Sequence, residues 1–369
     1  VNYYPEFATH SYKIYLCFIS LIQLNKTFLK VTQNISRLRH LLSMYRMTEE
    51  ELYTLASKGL KTALTHDDLF REEIEMNHLK RIDKIFNKGL FYYIDPTEPI
   101  KDESASIFFR KSHFDTDLNF GARQRVNEFE KLKTTLSGMA KMAGIDTVRH
   151  FPVYNFSHNA KRVAADVRKS LYPEFVINKR EFLKALITQL SEYDIMVMEF
   201  VDTWNKTDKA NIDGFFLQPN LIVLKRQQNA FRREIFTLAH ELGHYLLNAE
   251  EVEEVDFTSH VTRPLSTTER WCNDFAFSFL AGHHETTLDN LTYADATNDY
   301  HLGLVKDISD KTHLSRLAIY THLLYQNKLS NNTYSNIKAD FDAEYKRRQE
   351  EIERKKELDK QRGIQSGGR

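Results

Sequence analysis

Cysteine, proline and glycine are scarce: 2, 7 and 12 among 369 residues. Two cysteines, Cys17 and Cys272, cannot build a disulfide framework, and such usage reads as a reducing, cytoplasmic setting. So little glycine and proline excludes collagen-like, low-complexity and turn-dense β architectures. Net charge is also missing, with Lys+Arg and Asp+Glu both at 51. Without a positive excess, non-specific nucleic-acid binding would have to rest on a local patch. No apolar run reaches the roughly 20 residues that a bilayer demands. Residues 14–24 come nearest, but no basic cluster precedes them and no small-residue cleavage site follows.

What is present reads as a mostly helical α+β protein of two or three domains. Residues 1–43 precede the first methionine, Met44. They are set apart as an N-terminal extension, either upstream of the natural start or a genuine N-terminal helix. Residues 44–98 read as short helices. Thr48 followed by Glu49, Glu50 and Glu51 is a capping-box start; Asp67 opens a second helix, and Leu79, Ile82, Ile85 and Phe86 mark a third. Asp95-Pro96 and Glu98-Pro99 close this domain. Residues 99–159 form a connector holding an amphipathic helix at 121–143, with Val126, Phe129, Leu132, Leu136 and Met139 on one face.

Helices at 160–171 and 180–190 follow. Residues 195–201 are a strand, and 214–217 and 221–224 flank Gln218-Pro219-Asn220 as a hairpin. Helices near 230–247, 268–280, 310–324 and 341–362 complete the chain. The sheet is expected to be small and antiparallel. Residues 160–335 form the main domain, and 336–369 a charged helix with a tail.

The chemistry lies in Thr237-Leu-Ala-His240-Glu241-Leu-Gly-His244. Histidines four apart stand one turn apart on one helix face, where both can bind a single zinc ion. Glu241 then stands beside the metal as a base for water, whose pKa zinc lowers from about 15.7 to near 7. A solvated surface helix is the alternative. Ile235, Phe236, Leu238, Ala239, Leu242, Leu246 and Leu247 speak against it, because burying three unpaired ionisable groups is costly. A catalytic zinc takes a third protein ligand and keeps one position open. Glu269 is the best candidate, with His260, His283, His284 and Asp274 as rivals. Asn273 shares a face with Glu269 and suits orienting a ligand. Glu269 also has a plainer explanation as a first-turn carboxylate behind Thr267 and Thr268 as caps.

The run TLAHELGHYLL followed by ERWCNDFAFSFL closely resembles the ImmA/IrrE family of bacterial and phage metallopeptidases. That family carries His-Glu-x-x-His on one helix and Glu-x-x-Ala/Cys-Asn-x-Phe-Ala on the next. The resemblance covers roughly 160–330. It implies a zincin-like peptidase domain in which His240, His244 and Glu269 bind zinc and Glu241 is the general base. The family's XRE-type helix-turn-helix is similar to MTEEELYTLASKG, HLKRIDKIFNKGLFYYIDPTEPI and residues 107–110 here. Family precedent implies limited proteolysis of a regulatory protein, often a repressor or a neighbouring-gene regulator. The competing function is a DNA- or protein-binding regulator, or toxin–antitoxin component, with a structural zinc. A structural site would not need Glu241, and would be closed by four ligands.

Two departures stand out. The family continues Phe-Ala-x-x-Leu-Leu with Met-Pro, whereas this chain reads Phe279-Leu-Ala-Gly-His283-His284. Downstream, Ser309 reads as a helix cap, and Arg316 with Leu317 matches a recurring pair. Glu250, Glu251, Glu253, Glu254 and Asp256 read as a solvated acidic loop. Cys272 reads as a small core residue.

The second departure concerns DNA. Residues 48–75 hold eight acids (Glu49, Glu50, Glu51, Asp67, Asp68, Glu72, Glu73, Glu75) against three bases (Lys58, Lys61, Arg71). A major-groove reader offers the opposite balance. Residues 44–98 are therefore expected to give no tight, salt-dependent duplex-DNA binding at physiological salt. Gel-shift titration checks this; a tight complex abolished by deleting 44–98 would refute it.

Overall fold

The computed structural model describes residues 29–99, 118–202, 209–227, 230–252, 265–297 and 299–361. Expectations for residues 14–24, Cys17, residues 107–110, Glu253, Glu254, Asp256, His260 and the 366–369 tail lie outside them. The chain divides into two compact units, residues 1–113 and 114–369.

In the first unit, β1 (Lys30–Thr32) pairs antiparallel with β2 (Glu73–Glu75). Helices α1 (Ile35–Met44), α2 (Glu49–Ser57), α3 (His66–Leu69), α4 (Met76–Phe86) and α5 (Leu90–Ile94) bury Leu38, Leu41, Leu52, Leu79 and Ile82. The start of α2 is the expected reciprocal cap. Glu51 N–H donates to Thr48 Oγ1 at 3.1 Å, and Thr48 N–H to Glu51 Oε2 at 3.0 Å. A boundary at 43 cuts through α1, which is tied to the end of the unit by Asn34 Nδ2 donating to Asp95 O at 3.0 Å.

The second unit begins with α6 (Phe120–Met142), α7 (Ala160–Leu171) and α8 (Lys179–Ser191). β3 (Met196–Phe200), β4 (Gly214–Leu217) and β5 (Leu221–Lys225) form a sheet in the order β3-β5-β4. β4 and β5 are the expected hairpin, but β3 runs parallel to β5, so the sheet is mixed rather than antiparallel. Alternating side chains encode which face is buried, not strand direction. Residues 201–220 give β3 the long connection that a parallel pairing needs.

α6 covers one face of the sheet through Phe129, whose ring lies 6.0 Å from both Phe200 and Phe215. Only the first half of its apolar stripe is covered by described residues. Val126 and Phe129 are buried, whereas Leu132 and Met139 are exposed.

The other face carries α9 (Phe231–Leu247), with Tyr245 edge-on to Phe216. α10 (Thr267–Ala281) packs between α9 and α7. α11 (His284–Asp289), α12 (Leu302–Thr312), α13 (Arg316–Tyr325) and α14 (Asn331–Gln361) follow. α12 ends at His313, which is left-handed at φ 60°. Ser315 caps α13, accepting from Ala318 N–H at 3.0 Å. Ser309 is not a cap. It is buried within α12, and its Oγ donates to Leu314 O at 2.7 Å. α14 starts before the expected boundary at 335. Among the described residues, no helix is long and apolar enough to cross a membrane.

The contact between α9 and α10 depends on Gly243. A Cβ there would lie 3.1 Å from Cys272 Sγ and 3.2 Å from Cys272 Cα. Overpacking costs about 1–3 kcal/mol, against a helix-propensity gain of about 1 kcal/mol. Gly243→Ala should therefore lower Tm by a few degrees, on the scale of roughly 2–4 °C per kcal/mol. Thermal unfolding followed by circular dichroism measures this, and an unchanged or higher Tm would contradict so close an approach.

Candidate metal centre

α9 is buried continuously from Glu234 to Leu247. It ends at Asn248, left-handed at φ 51°, whose N–H donates to His244 O and Tyr245 O. The Arg149 guanidinium donates to Tyr245 O and stands 4.1 Å over the Tyr245 ring, placing a cation where the helix dipole favours one. Arg168 does the same for α10, donating to Phe279 O. α10 begins at Ser266, whose Oγ accepts from Glu269 N–H at 3.1 Å. Thr267 and Thr268 are helical residues, not the cap.

Glu269 thus stands in the first turn, and its carboxylate reaches across to α9. Its Oε2 lies 3.1 Å from His240 Nε2, its Oε1 lies 3.0 Å from His244 Nε2, and the two Nε2 atoms are 3.1 Å apart. Their side chains are 2–4% exposed. His240 Nδ1 donates to Asn273 Oδ1 at 3.0 Å, which leaves its Nε2 lone pair facing the cluster. Of the rivals, His283 and His284 lie against each other after Gly282, their rings tilted by 37°, and neither they nor Asp274 join this group.

Three lone-pair donors about 3 Å apart repel one another unless a metal ion or a proton sits among them. Ligands about 2.05 Å from a tetrahedral zinc stand roughly 3.3 Å apart, so the donor set fits that ion. Burial works against ionisation of Glu269, but the two imidazoles outweigh it and hold the carboxyl well below its ordinary range.

Glu241 has the opposite character. It is 3% exposed, and its Oε2 has no hydrogen-bond partner among the described residues. Burial pushes its pKa up to about 8. His244 opposes that rise, and the charges of Glu269, Asp213 and Glu251 add to it. Gly214 lies directly against it: a Cβ there would be 2.8 Å from Thr237 Cγ2 and 3.2 Å from Glu241 Cγ. Asp213, the preceding residue, anchors the start of α9 by accepting from Arg233 Nε at 2.8 Å and Gln227 Nε2 at 2.6 Å. Neither glycine nor Asp213 was singled out in the sequence, although Gly243 stands inside the motif.

Residues 190–285 match the peptidase M78 family model, the IrrE N-terminal-like domain. The stretch is similar to a metallopeptidase-family domain, and it contains His240, Glu241, His244 and Glu269. No curated protein and no solved structure matches the chain.

Two further acidic features prove structural. Glu250 is buried rather than solvated, and its Oε1 accepts from Gln218 N–H at 2.8 Å, pinning the hairpin turn beyond α9. Glu285, Asp289 and His322 also converge. There Lys161 Nζ already supplies the cation, 3.4 Å from Glu285 and 2.5 Å from Asp289.

The Glu241 shift has a definite sign. Its folded pKa lies above the unfolded value, so the folded state holds a proton that the unfolded chain releases. Its contribution is present below about pH 4.5 and is lost as pH rises towards about 8. In metal-free protein, Glu241→Gln should raise Tm near pH 8 and leave it almost unchanged near pH 5. Melting curves in chelator at the two pH values test this; an equal effect at both would show that Glu241 does not titrate there.

Proposed function

We propose that the chain is a zinc-dependent metalloendopeptidase that performs limited proteolysis of a regulatory protein. The observation that carries this reading is the convergence of His240, His244 and Glu269 beside an unpartnered, proton-binding Glu241. His240, His244 and Glu269 are the metal ligands, and Asn273 holds the His240 ring in its ligating tautomer. Zinc in that position supplies Lewis acidity towards a peptide carbonyl and towards water.

Glu241 takes the proton from the attacking water and returns it to the leaving amine. A carboxyl suits both transfers, since it can take up a proton and release it again. The substrate strand lies along β4. Lys225 N–H donates to Asp213 O, so in the antiparallel register Phe215 and Leu217 pair with β5. The backbone groups of Gly214 and Phe216 point away from β5, but both residues are buried, so an extended peptide pairs with them only once that edge is uncovered. The peptidase domain is assigned to residues 160–335. The substrate class is a repressor or neighbouring-gene regulator, DNA being disfavoured by the acidic 48–75 segment.

Purified wild-type protein should hold one zinc, and His240→Ala, His244→Ala or Glu269→Ala should each lose it. Glu241→Gln should keep the metal and lose about 10²–10⁴ in cleavage rate. Elemental analysis checks the first statement, and co-expression with the neighbouring regulator, followed on a gel, checks the second. Full zinc retention by Glu269→Ala would remove it from the ligand set. Absence of cleavage by both wild type and Glu241→Gln would leave the zinc a structural role.

A further inference from the structure

The sheet has a second edge, at β3, on the side away from β4. Met196 N–H donates to Asn220 O, and Arg226 N–H to Phe200 O. In a parallel pair these bonds turn Met196, Met198 and Phe200 towards β5. The N–H and C=O groups of Val197 and Glu199 therefore face outward, and they have no partner among the described residues. Beside them is a cavity of about 470 Å³ lined by Val197 and Glu199, by Leu183 and Ile187 of α8, and by Arg180, Lys184 and Arg226.

Its charge is unbalanced. Glu199 is held by Arg226, which also pairs with Glu234. Arg180 and Lys184, one turn apart on α8, are exposed and have no ion pair among the described residues. A row of backbone donors and acceptors without partners among the described residues, beside two cations without an ion pair among them, calls for an extended chain carrying carboxylates. Nucleic acid fits less well, since it offers no ladder to pair with the edge and finds no aromatic platform in this lining.

We propose that β3 and this groove dock an extended acidic segment of a partner protein, which pairs with the backbone of Val197 and Glu199 and sets its carboxylates against Arg180 and Lys184. The two sheet edges stand two strand spacings apart, about 10 Å, so the docking edge is separate from Glu241. Holding a substrate here, away from its scissile bond, would restrict cleavage to proteins that carry such a segment. That use rests on the peptidase reading, whereas the docking does not.

The test uses full-length Glu241→Gln protein, so that a bound peptide stays intact, and a fluorescein-labelled peptide alternating Glu and Val. Fluorescence anisotropy should give micromolar binding, and a peptide with Lys in place of Glu should not bind. Arg180→Glu with Lys184→Glu should weaken binding about tenfold or more. Both side chains are exposed, so the fold should be unaffected. N-methylating alternate backbone amides of the peptide should weaken binding similarly, with the protein unchanged. The proposal fails if no binding appears at millimolar peptide, or if neither the charge reversal nor the N-methylation matters. It fails equally if an oligo-dT strand binds as tightly as the acidic peptide. None of these outcomes depends on whether the wild type cuts anything.

Discussion

The approach of α9 to α10 across Gly243 and Cys272 is the constraint on which the rest of the candidate centre depends. Two histidines on one helix make only two corners of a site, and the third must come from a neighbour close enough for a short side chain to reach. A residue without a Cβ at the contact permits that distance. Arg149 and Arg168 then hold the helix ends by their last carbonyls, giving both helices a cation where their dipoles favour one.

Two clusters in the same unit show how burial and charge decide what a set of donors does. Glu285, Asp289 and His322 also bring their ligand atoms within 4.8 Å of one another, as His240, His244 and Glu269 do. In the first set Lys161 brings the positive charge covalently, and the group is an ion-pair network joining α7, α11 and α13. In the second no lysine or arginine enters among the described residues, and the donors are almost wholly buried. Uncompensated lone pairs in a dry interior are expensive, which is the ground for proposing a cation at the second set.

The mixed sheet gives the unit two unlike edges. β4 is buried along its length and pressed against α9 at Gly214, whereas most of β3 is only partly buried and faces a basic groove. Both follow from the parallel pairing of β3 with β5, which keeps the hairpin beside α9 and leaves the first strand on the outside.

Local chemistry was legible in the residue order. The one-turn spacing of His240 and His244 follows from helix geometry alone, as does the Thr48–Glu51 cap, because both are interactions within a few residues. Helix positions were legible for the same reason, since apolar periodicity reports which face is buried. The strand order, the parallel direction of β3 and the half-exposed stripe of α6 were not. Each depends on which distant segment packs alongside, and periodicity is silent about partners. The same distinction applies within the centre. Glu269 was one carboxylate among several candidates by spacing, and Ser309 looked like a cap until the fold buried it. Only the meeting of α9 and α10 placed the Glu269 oxygens 3.0–3.1 Å from both imidazoles, because that distance is set by side-chain volumes at a helix crossing.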